Sequence, residues 1–299
     1  MRVLLTGANG QVGREVKSRI VPKGFDLLAL DRKALDITDP TLIESQVSQS
    51  GVGLVVNCAA YTSVDKAESE AELAFAVNRD GPAYLASACA ETGVPLVHIS
   101  TDFVFDGQKR DPYLETDQIS PLNVYGKSKA AGEAVVRKRL REHIILRTSW
   151  VYGAGGHNFV KTMLRLGREK EVVRVVADQY GCPTYAADLA ETILAIVGKI
   201  IQGRQIAWGT YHYCGKGVTS WHGFAEAIFA LAGQHTSLKV KRIEPISTAE
   251  YPTPAKRPAN SVLDCSLLEK EFGIRSQLWS ECLARMIKEM FSVEKSKNP

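Results

Sequence analysis

Tyr125 and Lys129 stand four residues apart in Tyr125-Gly126-Lys127-Ser128-Lys129. On a helix that spacing puts both on one face, so an ammonium lies beside a phenol. A free phenol has a pKa of roughly 10, too high for fast proton exchange at neutral pH, and a neighbouring cation lowers it by favouring the phenolate. A proton donor works best as its pKa approaches the working pH. Alone the pair is a weak signal, because tyrosine and lysine often fall four apart by chance. It gains weight from Ser100-Thr101-Asp102 upstream and from a glycine-rich turn at the start of the chain.

That turn is Thr6-Gly7-Ala8-Asn9-Gly10-Gln11-Val12-Gly13. Before it, Arg2-Val3-Leu4-Leu5 reads as a short buried strand. After it, Val12, Val16 and Ile20 recur every four positions, predicting a helix from Gln11 to Val21. Strand, glycine turn and helix form a phosphate site: glycine lets the backbone approach a pyrophosphate, which rests on the N–H groups at the helix start. The spacing is G-x-x-G-x-x-G, not the usual G-x-G-x-x-G of dinucleotide sites. Such a site also needs an acid at the end of the second strand to hold ribose hydroxyls. Asp31 closes the strand Asp26 to Asp31, and Arg32 follows at once. Asp31 favours NAD, whereas Arg32 suits the extra phosphate of NADP, so the two argue opposite ways.

The elements that position these residues alternate. Leu54 to Ala59 reads as a strand, Glu70 to Thr92 as a helix, Pro95 to Thr101 as a strand, Asn123 to Arg141 as a helix and Ile144 to Ser149 as a strand. Alternation of this kind predicts an α/β fold with a doubly wound parallel sheet, in which ligands bind at the carboxyl ends of the strands. Asp31, Asp36, Ala59-Ala60, Ser100-Thr101-Asp102 and Thr148-Ser149-Trp150 all fall at such ends. After about residue 152 the texture changes to helices, at Tyr185 to Ile201, Trp221 to Ala232 and Gln277 to Phe291, separated by loops at 153–156, 178–184 and 252–258. Residues 1–152 are therefore expected to form the dinucleotide-binding domain and 153–299 mostly a smaller substrate-binding cap. A strand near 210–215 is expected to return to the main sheet. The tail from Glu294 to Pro299 is expected to fray.

Composition narrows the function classes. The 37 basic and 33 acidic residues are too balanced for a nucleic-acid binder. No apolar run approaches the ~18 residues of a membrane span. The chain enters a core strand directly, without a signal peptide. Cys58, Cys89, Cys182, Cys214, Cys265 and Cys282 are scattered without a C-x-x-C, which argues against zinc and redox motifs and for reduced thiols in a cytosolic protein.

Taken together these residues resemble the extended short-chain dehydrogenase/reductase family, and within it the sugar-nucleotide reductases. The likeness runs through Leu5-Thr6-Gly7, Asn57-Cys58-Ala59-Ala60-Tyr61-Thr62, Val64-Asp65-Lys66-Ala67-Glu68, Ser100 to Phe105, Pro121 to Gly126, Arg147 to Tyr152, Asp178 to Gly181, Tyr251 to Pro254 and Arg257 to Ser261. Phe103 stands where the family usually has tyrosine, removing a hydroxyl near the site. The resemblance implies reduction of a 4-keto group on a dTDP-linked sugar by NADH or NADPH. Tyr125 would donate the proton, Lys129 would lower the phenol pKa and hold the nicotinamide ribose, and Thr101 would orient the ketone oxygen. Asp102, Trp150 and Arg257 would contact the substrate, Arg257 through its diphosphate. Gly7, Gly10, Gln11, Val12, Gly13, Asp31, Arg32, Asp36, Ile37, Ala59, Ala60, Tyr61, Thr62, Tyr125 and Lys129 would line the cofactor site. The family also implies a homodimer bridged by Mg²⁺ through Glu15, Asp188 and Glu289, although Asp188 is one methylene shorter than the glutamate expected.

Two other readings compete. An epimerase or 4,6-dehydratase shares the superfamily, but a dehydratase needs an added acid–base pair after the threonine, and Phe103 follows Asp102 where its glutamate is expected. A regulatory subunit like that of methionine adenosyltransferase binds NADP without evident need for turnover. Intact Thr101, Tyr125 and Lys129 favour catalysis over that second role.

Overall fold

The computed structural model describes residues 1–20, 25–48 and 51–297, with the side chains of 293–297 left aside. Val21, at the end of the expected first helix, and residues 298–299 of the expected tail lie outside the described residues, as do the side chains of the rest of that tail.

Six strands form the central sheet: β1 (Arg2–Thr6), β2 (Asp26–Leu30), β3 (Val52–Asn57), β4 (Leu96–Thr101), β5 (His143–Thr148) and β6 (Gly209–His212). Their spatial order is β6-β5-β4-β3-β1-β2, and every pairing is parallel. Strand order reverses between β1 and β3, which opens a crevice at their carboxyl ends. Near-continuous apolar runs fit strands buried on both faces. Val3, Leu5, Leu54, Val56, Val97, Ile144 and Leu146 face one core with α1 (Gln11–Ile20) and a later helix at 186–201. The alternate residues Leu4, Val55, Leu96 and Ile145 face a second core, under helices at 40–47, 81–92 and 124–139.

One expected element differs. The helix read as continuous from Glu70 to Thr92 is an α-helix at Ala71–Phe75, a π-turn at Ala76–Asp80 and an α-helix, α2, at Gly81–Thr92. Pro82 has no N–H to give the Asn78 carbonyl four residues back, and π-turns arise where the ladder is interrupted in this way. The freed carbonyl points into α3 (Val124–Arg139), where a Cβ on Gly132 would lie 2.0 Å from it.

Beyond β5 a further core gathers Tyr152, Tyr185 and Phe224 with the helices Phe159–Glu169, α4 (Trp221–Ala232) and Trp279–Lys297. A two-stranded parallel pair, Val172–Val176 with Arg242–Ile246, completes it. Among the described residues no helix is long and apolar enough to cross a membrane.

Gly132→Ala would drive a methyl into the Asn78 carbonyl. Overpacking of this kind costs ~1–3 kcal/mol, so thermal unfolding of the variant should show a loss of that size. An unchanged midpoint would mean that the π-turn yields freely.

Candidate active site

The glycine turn is set by close approach of two backbones. Gly7 has φ +65°, and a Cβ there would lie 2.6 Å from the Ala59 nitrogen. On Gly13 a Cβ would sit 2.2 Å from the Gly7 carbonyl, so Gly13 lies beneath the turn and lets α1 start against it. Gly7, Gly10, Asp31, Arg32, Asp36, Ile37, Ala59, Ala60, Tyr61 and Thr62 line one cavity of about 390 Å³. Asp31 caps the turn after β2, accepting from the N–H groups of Lys33 and Ala34, and receives the Asn9 amide at 2.6 Å. Arg32 reaches Asp36 at 3.4 Å while its side chain stays 74% exposed, which leaves the guanidinium open to a phosphate. The cradle fits a dinucleotide: a side chain at Gly7 or Gly13 would collide with backbone, and the turn opens onto the start of α1.

A second cavity, about 410 Å³, shares Gly10, Ala60 and Thr62 with the first and adds Gln11, Val12, Thr101, Asp102, Tyr125, Lys129 and Trp150. Asn123 caps α3, its Oδ1 accepting from the Gly126 N–H at 2.8 Å, and so presents Tyr125 and Lys129 on one buried face. Lys129 Nζ donates to the Ile99 carbonyl at 2.7 Å. Burial brings Lys129 down to about 8, while the Glu133 carboxylate works to keep it charged. Thr101 Oγ1 donates to Asp102 Oδ1 at 3.0 Å and accepts from the Phe103 N–H at 3.2 Å.

The phenol does not behave as the four-residue spacing predicts. Burial pushes Tyr125 up to about 12; the opposing pull comes from the Thr101 hydroxyl, and Asp102 adds to the rise. Lys129 is drawn instead to the Ile99 carbonyl and towards Glu133. Tyr125 is therefore fully protonated at neutral pH, the state a proton donor must start from. The Phe103 ring meets its edge at 5.5 Å between centroids.

Two supporting groups have no motif in the sequence. Asn78, placed by the π-turn, accepts from the Tyr61 N–H at 2.9 Å and donates to the Tyr61 carbonyl and Ser128 hydroxyl, both at 3.0 Å. It ties the cofactor-side loop to α3. Glu133 is fully buried and receives Ser100 Oγ at 2.6 Å and both arms of Arg147 at 2.8 and 2.7 Å.

Trp150 and Trp221 stack with centroids 3.5 Å apart and planes at 7°. Trp150 lines the second cavity and Trp221 a third, of about 330 Å³, with Phe159, Met163, Arg174, Gln179, Tyr251, Thr253 and Arg257. One face of Trp150 is thus covered, and Trp221 was not singled out by sequence. Arg257, expected to meet the substrate's diphosphate, is already paired within the chain. Its guanidinium binds Asp65 at 2.8 and 3.0 Å and also donates to Thr253 and the Ala255 carbonyl, so a ligand would have to compete with a paired carboxylate.

The expected metal ligands do not form a metal site within one chain. Glu15 pairs with Arg19, Asp188 pairs with Arg285, and Glu289 accepts from the Tyr185 hydroxyl at 2.8 Å. Two guanidinium groups already offset the charge a cation would meet. Among the described residues no three His, Cys, Asp or Glu side chains are grouped to hold an ion.

Comparison with known proteins agrees with this fold. Residues 1–292 match the family model described as the RmlD substrate binding domain. A dTDP-4-dehydrorhamnose reductase of Aggregatibacter actinomycetemcomitans is 46% identical over 284 residues, 94% of this chain and 97% of the relative. The crystal structure of a dTDP-4-dehydrorhamnose reductase from Clostridium acetobutylicum superimposes with a TM-score of 0.91 at 40% identity, covering 97% of this chain and 99% of that one. A dTDP-4-dehydrorhamnose reductase from Bacillus anthracis, solved in complex with NADP, gives 0.89 at 41% identity over 96% and 99%.

Asp102 carries a stability consequence. It is 3% exposed, its Oδ2 has no hydrogen-bond partner among the described residues, and burial pushes the carboxyl from 3.8 up to about 6 against the hydroxyls of Ser261 and Thr101. A folded-state pKa above the unfolded one means that the native state prefers the protonated acid. Ionisation therefore costs stability, in full above about 6 and not at all below the unfolded value. Asp102→Asn is expected to raise stability by on the order of 1 kcal/mol near neutral pH, with the gain shrinking as pH falls towards 4. A gain that does not depend on pH would remove Asp102 ionisation as its source.

Proposed function

This chain belongs to the RmlD substrate binding domain family, and from that membership we propose that it reduces the 4-keto group of dTDP-4-dehydro-L-rhamnose to give dTDP-L-rhamnose, with NADH or NADPH as reductant. The observation that carries the reading is the convergence of Thr101, Tyr125 and Lys129 in a cavity continuous with the glycine cradle. When bound, the reduced nicotinamide supplies a hydride to the carbonyl carbon.

The chain's own groups account for the rest. Asn9 and the caps of its turn hold Asp31 in position for the adenosine ribose, while the open end of Arg32 accepts the additional phosphate of NADPH. Lys129, beside Tyr125 in the same cavity, would hold the nicotinamide ribose by a hydrogen bond. Thr101 orients the ketone oxygen, and the Tyr125 phenol gives that oxygen its proton. Asp102 and Trp150 bound the sugar. The third cavity, with Trp221, Phe159 and Met163 as apolar lining and Arg174 and Gln179 as polar lining, would take the nucleotide.

The direct test is oxidation of NADPH and of NADH by the purified protein, with and without the dTDP-4-keto sugar. Consumption with sugar and none without it is the expected result. Tight NADPH binding with no turnover would return the chain to a purely regulatory role.

Tyr125→Phe should bind cofactor nearly as well as the parent and lose ~10²–10⁴-fold in turnover, the usual worth of a general acid. Activity within a few-fold of the parent would take Tyr125 out of that role. The pH profile reports Lys129 separately. Its charged form is the acid form, present below about 8 and lost above, whereas Tyr125 stays protonated up to about 12. Turnover is expected to decline on the alkaline side of about 8, and Lys129→Arg, which keeps its charge, should abolish that decline in whatever activity remains. A decline unchanged in the arginine variant would assign it to another group.

A further inference from the structure

Cys182, Cys214 and Cys265 are distant in sequence, yet all three line one surface cavity of about 480 Å³ away from the catalytic cluster. The sulfurs of Cys214 and Cys265 lie 3.6 Å apart. Cys214 follows the end of β6, and Cys265 precedes the helix Ser266–Phe272. Neither belongs to a strand or helix, and a disulfide at ~2.05 Å asks these two loop residues to close together by about 1.5 Å. They differ in access: Cys214 is buried, whereas Cys265 is half-buried and faces the cavity.

We propose that Cys265 and Cys214 form a thiol-modification site, in which Cys265 reacts with a low-molecular-weight disulfide and Cys214 resolves the adduct to an intrachain disulfide. Two features assign the order. The Cys214 backbone N–H points at Cys265 Sγ at 3.3 Å, a donor suited to a thiolate. The contact with the Cys214 thiol, in which either sulfur can be the donor, and the same N–H hold Cys265 below an ordinary thiol; Cys214 itself is raised by contact with Cys182 and Cys265. The nucleophile is thus the accessible sulfur and the resolving thiol the enclosed one.

The exchange balances. The Cys265 thiolate attacks one sulfur of the small disulfide, its S–S bond breaks, and the departing thiolate takes up the proton lost by Cys265. Cys214 then gives up its proton and attacks Cys265 Sγ. That breaks the mixed bond and releases the second small thiol, which takes the Cys214 proton. Two cysteines are oxidised by two electrons, and one small disulfide is reduced to two thiols. The new bond would tie β6 to the far end of the 251–264 segment, which carries Thr253, Arg257 and Ser261.

The test treats the fully reduced, folded protein with glutathione disulfide and follows intact mass and disulfide-linked peptides. The expected product is lighter by two hydrogens, links Cys214 to Cys265, and reverts with dithiothreitol. Cys214→Ser and Cys214→Ala should both stop at one glutathione adduct on Cys265, and Cys265→Ser should form neither product at this site. Each folded variant is checked by its reductase or cofactor-binding activity, since neither cysteine lies in the catalytic cavity. The proposal is overturned if the folded protein stays reduced while the unfolded chain reacts. An adduct confined to other cysteines, or a bond from Cys182 in place of Cys265, would overturn it equally.

Discussion

The buried ion pair between Glu133 and Arg147 is the interaction on which the catalytic geometry depends. Glu133 lies one turn beyond Lys129 on α3, and Arg147 is in β5, so their two parallel hydrogen bonds fix the helix against the sheet. Ser100, one residue before Thr101, donates to the same carboxylate at 2.6 Å. Thr101 on β4 and Tyr125 on α3 are therefore held in register through a single anion. Taking two charges out of water costs several kcal/mol per ion, which only bidentate geometry with every lone pair engaged can repay. That condition explains the company the pair keeps. Arg137 closes one side of Glu133, and the spare Arg147 nitrogen meets the His212 ring at 3.3 Å. Burial and Arg147 bring His212 down to about 3, so it remains neutral and adds no charge to the enclosure.

A second constraint acts where the chain leaves the sheet. Trp150 follows β5 and has φ +49°, the one non-glycine residue with positive φ among those described. A bulky residue in that region stores ~1–3 kcal/mol of strain, which surrounding structure must hold in place. Three contacts do so. The Trp150 carbonyl accepts from the Thr184 N–H, the indole packs where a Cβ on Gly181 would lie 2.5 Å away, and Trp221 stacks on its face. The result is a rigid aromatic wall between the cavity that holds Tyr125 and the one that ends at Arg257.

Much of this was legible in the sequence, for reasons that differ by residue. The strands were readable because residues such as Val3-Leu4-Leu5 face two cores and must be apolar throughout, and Gly7 because only glycine permits that approach to Ala59. Tyr125 and Lys129 declared themselves through helical spacing. The effect of one on the other did not, since burial and the Ile99 carbonyl intervene and both are tertiary facts. Arg257 stands out in its motif, but its pairing with Asp65, 192 residues away, is not legible there. The π-turn was hidden because Pro82 reads locally as a helix start, and its effect appears only against Gly132. Cys214 and Cys265 are 51 residues apart and meet only because β6 returns to the main sheet.

That return has a consequence for how the chain is made. β5 is complete at Thr148, but its partner on the outer side, β6, begins only at Gly209. All six residues of β5 are buried in the finished protein. While the ribosome adds the intervening sixty or so residues, the N–H and C=O groups along that edge have no neighbour, and an unpaired apolar edge is a template for adhesion to other chains. At ~5–20 residues per second the edge stays open for several seconds. Arg147, on that edge, emerges with Glu133 already synthesised behind it, so a charged pair can form early and mark the strand as a poor surface for foreign partners.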